Sequence, residues 1–195
     1  MVNFNMSREN TWLDKIANII RVATVPPVMA LLLIFYLYQH TPNHKFIGIA
    51  ALCLVLLPLA AYPVHRLASS KNGREGQRRT AFKFTFVSYL LLEIYTAFFC
   101  TERILRLVGC TYFLTVLILT ILNLFRIKAS GHAASSSAVL IFFVYLKGSP
   151  AILPCLALMT AIFWASIRTG RHTVEQLVLG TSACLAGFII SLAIL

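Results

Sequence analysis

Long apolar runs recur along most of this chain, at residues 25–39, 45–65, 81–101, 105–125, 133–146, 150–166 and 174–195. A hydrocarbon core about 30 Å thick is crossed by roughly 20 apolar residues in helical form. Only helices and closed barrels satisfy every backbone polar group in that medium. A barrel strand would alternate apolar and polar residues over about ten positions, whereas these runs are apolar on every face. The chain is therefore expected to be all-α, a polytopic transmembrane helical bundle of six or seven spans. The first and fifth runs are short enough for one to be tilted or re-entrant. Composition agrees, since 59% hydrophobic and 12% charged residues leave too little polar surface to cover a globule in water.

Residues 1–24 read as an N-terminal interfacial segment and residues 25–195 as the transmembrane domain. No apolar core with a small-residue cleavage site follows the basic start, so the segment is expected to stay attached. Within Thr11 to Val22, Trp12, Ile16, Ile19 and Ile20 share one helical face, with Asp14, Lys15, Asn18 and Arg21 mostly elsewhere. That pattern suits either a helix lying in the membrane interface or a short packed helix. Cys53, Cys100, Cys110, Cys155 and Cys184 lie in or beside apolar runs without C-x-x-C spacing, as small buried residues do. The acids Glu9, Asp14, Glu75, Glu93, Glu102 and Glu175 are too scattered for an Asp-rich magnesium clamp. Any phosphate chemistry is expected to be metal-free. Glu93 lies within an apolar run, where a carboxylate is either functional or hydrogen-bonded to Tyr89 or a neighbouring helix.

The polar residues gather in three clusters between spans. They are Lys71-Asn-Gly-Arg74-Glu-Gly-Gln-Arg78-Arg79, Arg126-Ile-Lys128-Ala-Ser130-Gly131-His132, and Ser166-Ile-Arg168-Thr-Gly-Arg171-His172-Thr173-Val-Glu175-Gln176. Two spans separate each cluster from the next, and two crossings return a chain to the side it left. All three clusters therefore meet one aqueous face. Basic loops at membrane edges are also ordinary topology signals, and a lone histidine at a helix start is commonly a cap. The coincidence of three clusters, two of them with a histidine at a helix start, favours a shared anion site.

Each component has a chemical reason to be there if the ligand is a phosphate. Arg and Lys neutralise phosphoryl oxygens, and Arg grips two at once. Ser130-Gly131-His132 precedes an apolar run, hence sits at a helix N-terminus, where free N–H groups and the dipole favour an anion. His172 opens the last run, and Gln176 lies one turn further on the same face, within reach of its ring. A neutral imidazole so held is a candidate nucleophile, and the other histidine a candidate acid.

These clusters resemble the type 2 phosphatidic acid phosphatase superfamily of membrane lipid phosphatases, whose motifs are K-x6-R-P, P-S-G-H and S-R-x5-H-x3-D. Lys71 and Arg78 match the first; Ser130-Gly131-His132 match the second, with Ala129 in place of proline. His172 matches the third, within R-H-T-x-x-Q-L-x-x-G. The resemblance covers about residues 66–185. Arg79 replaces the proline of the first motif, Ser166 the arginine of the third, and Gln176 the aspartate that orients the nucleophilic histidine.

What the resemblance implies is metal-independent hydrolysis of a lipid phosphate or diphosphate, without a cofactor, through a phosphohistidine on His172. His132 would protonate the leaving group and Gln176 would orient His172. Lys71, Arg78, Lys128, Ser130, Gly131 and Arg168 or Arg171 would bind phosphate. The partners implied are a lipid phosphate and the bilayer of a cell membrane, with no nucleic acid. A non-catalytic binder or transporter on the same scaffold is the alternative, favoured by Ser166 and Gln176. Of the 17 Lys and Arg, Lys45, Arg103, Arg106 and Lys147 alone fall on the opposite face, which points to a site facing the cytoplasm. The resemblance instead implies an extracytoplasmic site in most members.

Overall fold

A computed structural model of the chain describes residues 11–68 and 73–195. Among those residues every regular element is helical: α1 Trp12–Ala23, α2 Pro26–His40, α3 His44–Ala51, α4 Leu57–Ala68, α5 Gly73–Phe99, α6 Arg103–Leu124, α7 Gly131–Lys147, α8 Ile152–Arg168 and α9 Val174–Ile194. A π-helical turn, Leu52–Leu56, joins α3 to α4 without a break in direction, so the two act as one rod over His44–Leu67. The all-α polytopic bundle is thus what the chain forms.

Five of these helices are long and apolar enough to cross a membrane: His44–Leu67, Gly76–Phe99, Arg103–Leu124, Ser149–Arg168 and Val174–Ile194. The pair Trp12–Ala23 and Pro26–His40, bent by 52°, makes a sixth if taken as one span. The 15-residue α2 and 17-residue α7 contain the two runs flagged above as short. Pro26 and Pro27 fix the start of α2, where a missing N–H costs nothing. The apolar run understates α5, which reaches back through the first basic cluster to Gly73. Arg, Glu and Gln are good helix formers, so hydropathy marks where lipid ends and not where the helix ends.

The passes can be ordered from contacts between chain ends. Thr41 at the end of α2 donates to Glu102 before α6 at 2.7 Å, which places the α2–α3 and α5–α6 connections together at one end. At the other end the Ser130 N–H, before α7, donates to the Gln176 carbonyl in the first turn of α9 at 2.8 Å. His65 and Thr80 pair across the α4–α5 connection at 3.2 Å. From α2 onward the helices alternate in direction, and the second and third polar clusters lie at the same end.

The core is centred on α6, which packs on both α5 and α9, while α7 packs on α9 and α2 and α8 on α7 and α1. Half of the α6 span is buried within the protein, against 17% for α8, which faces outward. Tyr89 and Tyr112 meet edge to face at 5.2 Å, and Phe142 and Phe188 at 5.6 Å. Close approach of α9 requires small residues. A Cβ at Gly187 would lie 3.0 Å from the Thr115 hydroxyl oxygen, and one at Gly180 would collide with the Ser130 carbonyl oxygen. These two glycines set how near α9 comes to α6 and to the start of α7.

Helix α1 packs on the bundle by one face and leaves an apolar face uncovered by the described residues. Ala17 is fully buried against the bundle, while Trp12, Ile16 and Ile19 form an outward apolar stripe, 68%, 37% and 66% exposed. The helix packs on α8, and Arg168 at the end of α8 reaches back to it. Its Nε lies 2.9 Å from an Asp14 carboxylate oxygen and its Nη2 donates to the Thr11 hydroxyl at 2.9 Å. The Thr11 hydroxyl and N–H donate in turn to Asp14 at 2.9 and 3.1 Å. These Thr11 bonds first, and Arg168 after them, hold the Asp14 carboxyl below its ordinary range.

Candidate functional site

The site is built where two helix N-termini meet. Ser130 caps α7, its Oγ accepting from the Ala133 N–H at 3.2 Å, and Thr173 caps α9, its hydroxyl oxygen accepting from the Gln176 N–H at 3.4 Å. The Ser130–Gln176 backbone bond then locks the two caps side by side, with Gly180 permitting the approach. Capping by Thr173 leaves His172 one residue before the cap of α9, not inside its first turn as the spacing had implied. From there its Nδ1 still reaches the Gln176 side-chain oxygen at 3.0 Å. With Nδ1–H donating to that amide, Nε2 carries the lone pair and points away from the helix.

His132 occupies the first turn of α7, before the apolar part of that helix begins. It is half-buried, and its Nε2 lies 3.4 Å from the hydroxyl of Thr24, the residue that joins α1 to α2. The Thr24 carbonyl accepts from Ser136 at 3.4 Å, which docks the junction onto α7. Burial above all, then the charges of His172 and Arg21, lowers the His132 pKa to about 4. The His172 charge among those causes puts the histidines of the second and third clusters in one electrostatic environment.

The remaining sequence candidates are distributed as follows. Lys71 lies outside the described residues. Arg78 is exposed in the first turns of α5, and Lys128 and Arg171 are exposed in the connections before α7 and α9. Gly131 opens α7 with its side exposed, and its N–H and that of His132 have no partner within the helix. Ser130 differs from expectation: it is fully buried, its N–H is committed to the Gln176 carbonyl and its Oγ caps α7, so its role is to hold the two helix starts together. Arg168 is committed to Asp14 and Thr11. Ser166 is 2% exposed, and its carbonyl accepts from the Arg171 N–H at 3.1 Å.

Two residues escaped the sequence reading. Arg21 and Thr24 come from the amphipathic segment, and their proximity to His132 follows only from the 52° turn between α1 and α2. The signal available was the position of Arg21 off the apolar face.

Elsewhere, Glu93 is bonded to Thr96 one turn on, at 3.3 Å, and not to Tyr89, and its carboxylate abuts Gly109 of α6. Among the described residues no three His, Cys, Asp or Glu converge as metal ligands. A lateral apolar groove of about 300 Å³ runs between α2, α7 and α8, lined by Met29, Val139, Phe143, Cys155 and Leu158 among others. Val139 lies seven residues past His132, so the groove opens roughly 10 Å further into the bundle.

No protein-family model, no curated protein and no solved structure matches this chain.

Proposed function

We propose that the chain is a metal-independent phosphatase of a membrane lipid phosphate or diphosphate, of the kind implied by its resemblance to the type 2 phosphatidic acid phosphatases. The observation that supports this best is the pairing of the α7 and α9 caps, which sets an oriented histidine and a second, electrostatically coupled histidine beside unpaired helix N–H groups. His172 Nε2 forms a bond to phosphorus as the bond to the leaving oxygen breaks, and the proton held by His132 passes to that oxygen. Water then attacks phosphorus, the N–P bond breaks, and the proton of the water returns to His132. The phosphate dianion offsets the repulsion of Arg21, which favours a protonated His132 for its role as acid. The N–H groups of Gly131 and His132, with basic side chains of the three clusters, would stabilise the equatorial oxygens. The apolar groove beneath takes the tail.

A non-catalytic anion-binding or transport protein is the second reading. Gln176 is neutral, so it orients His172 without stabilising its positive charge, and Arg168 is committed to Asp14. Phosphate release from a panel of lipid phosphates, in detergent with EDTA, separates the two. Turnover unaffected by EDTA supports the phosphatase; binding without release supports the second reading.

A further inference from the structure

We propose that Arg21, on the N-terminal helix, is the arginine that grips the phosphoryl oxygens of a phosphate monoester at His132, and that the Asp14–Arg168 ion pair is the clamp that holds Arg21 there. This rests on the reading of the paired starts of α7 and α9, with His132 and His172, as a phosphate site.

The geometry begins at Thr24. It caps the end of α1, its N–H donating to the Ile20 carbonyl at 2.9 Å, and its hydroxyl lies 3.4 Å from His132 Nε2. Arg21 precedes it by three residues, so the two side chains are neighbours on one helical face. The Nε of Arg21 is shut off from solvent and has no hydrogen-bond partner among the described residues. A guanidinium N–H in that condition is costly until an acceptor arrives. The charge of Arg21 is also one of those felt by His132. The planar fork of a guanidinium matches two oxygens of a tetrahedral phosphate dianion.

The third polar cluster lacks an arginine at its start, where Ser166 is buried. The nearest arginine in sequence, Arg168, spends its guanidinium on Asp14 and Thr11 of α1. Two distant segments have thus divided the work: Arg168 fixes α1 against α8, and α1 delivers Arg21 to His132. Arg168 is on this account a positioning residue, and its loss should act through Arg21.

The test uses the full chain in lipid nanodiscs. Inorganic phosphate and dioctanoyl phosphatidic acid are titrated calorimetrically, which separates phosphate chemistry from tail binding, and phosphate release from the lipid is measured alongside. Arg21→Ala should weaken both ligands by about tenfold or more, the usual worth of a charge-assisted bond, and Arg21→Lys should recover part of it. Arg168→Asp should weaken binding comparably, and the swap Asp14→Arg with Arg168→Asp should restore it, but not when Arg21 is also alanine. Far-UV spectra and elution volume show that each variant is folded. Wild-type affinity in Arg21→Ala would overturn the proposal. So would a swap that fails to restore binding while Arg21→Lys remains competent, since Arg168 would then touch the phosphate itself. Wild-type protein that binds neither ligand would overturn the phosphate reading as well. Binding without release would sink the phosphatase but leave Arg21 in place.

Discussion

Gly180→Ala is the smallest change that should separate the two caps. A Cβ built there collides with the Ser130 carbonyl oxygen and lies 3.1 and 3.3 Å from the Ser130 carbonyl carbon and the Ala134 nitrogen. All three are backbone atoms, so no side chain can rotate away. Restoring van der Waals contact moves α9 back by roughly 1 Å. The Ser130–Gln176 hydrogen bond, 2.8 Å long, would then be stretched past its useful range. Its loss costs about 1 kcal/mol, and overpacking costs about 1–3 kcal/mol more. Together the stability loss is about 2–4 kcal/mol. Catalysis should suffer further, since a displacement of about 1 Å between His172 and His132 is worth on the order of a hundredfold in rate. Thermal unfolding in detergent, phosphate release and hydrogen exchange at the Ser130 amide read the three consequences. Gly48→Ala is the control: its Cβ would meet nothing within 4 Å, and a helical Gly→Ala change there should be neutral or stabilising by up to about 1 kcal/mol. If Gly180→Ala matched Gly48→Ala in stability and turnover, with Ser130 exchange unchanged, the cap-to-cap lock would be refuted.

Four other outcomes are expected. His172→Ala should abolish phosphate release and an acid-labile phosphoprotein while the chain still inserts; a phosphorylated variant would remove His172 as nucleophile. Gln176→Glu keeps the reach of the side chain, which stands 3.0 Å from His172, and adds the missing charge, so turnover should rise by about tenfold; a fall would show that the amide is needed as such. With His132 at about 4 in the free protein, its protonated fraction grows as pH falls from 7 toward 4. The ratio of wild-type to His132→Gln kcat/KM for an alkyl phosphate should therefore rise over that window; a flat ratio counts against His132 as the acid. In a cysteine-free background, Lys128→Cys should react with an impermeant thiol reagent only after permeabilisation, following the excess of Lys and Arg on that face; labelling in intact cells would reverse the orientation.

What the sequence made legible was whatever depends on hydropathy and parity. The apolar runs located the helices because lipid demands that length, and even numbers of crossings brought Ser130, His132, His172 and Gln176 to one end. The spacing of His172 and Gln176 anticipated their hydrogen bond, although the Thr173 cap shifted the register by one residue. The π turn at Leu52–Leu56 left no mark, since its residues are as apolar as their neighbours. The function of Gly180 was equally hidden, because it depends on which backbone faces it. The Arg168–Asp14 pair joins residues 154 positions apart, and a charge near a membrane edge looks the same whether it binds a ligand, a lipid headgroup or another helix.

The disposition of α1 bears on why the proposed substrate is a lipid and not a soluble phosphate. One side of α1 is tied to α8 through Asp14, while the stripe Trp12, Ile16 and Ile19 faces outward, uncovered by the described residues. Such a stripe is stable where it meets the boundary between headgroups and acyl chains, and tryptophan favours that depth. On the proposed reading, His132 and His172, at the starts of α7 and α9, meet the lipid phosphates at that boundary. The apolar groove lies below them, open to the side between α2, α7 and α8. A soluble phosphate ester would leave that groove empty of ligand and would gain only the charge contacts. A lipid phosphate already holds its headgroup at the histidines' depth and its tail alongside the groove. Binding therefore costs it little of the translational and rotational freedom that a ligand from water must give up.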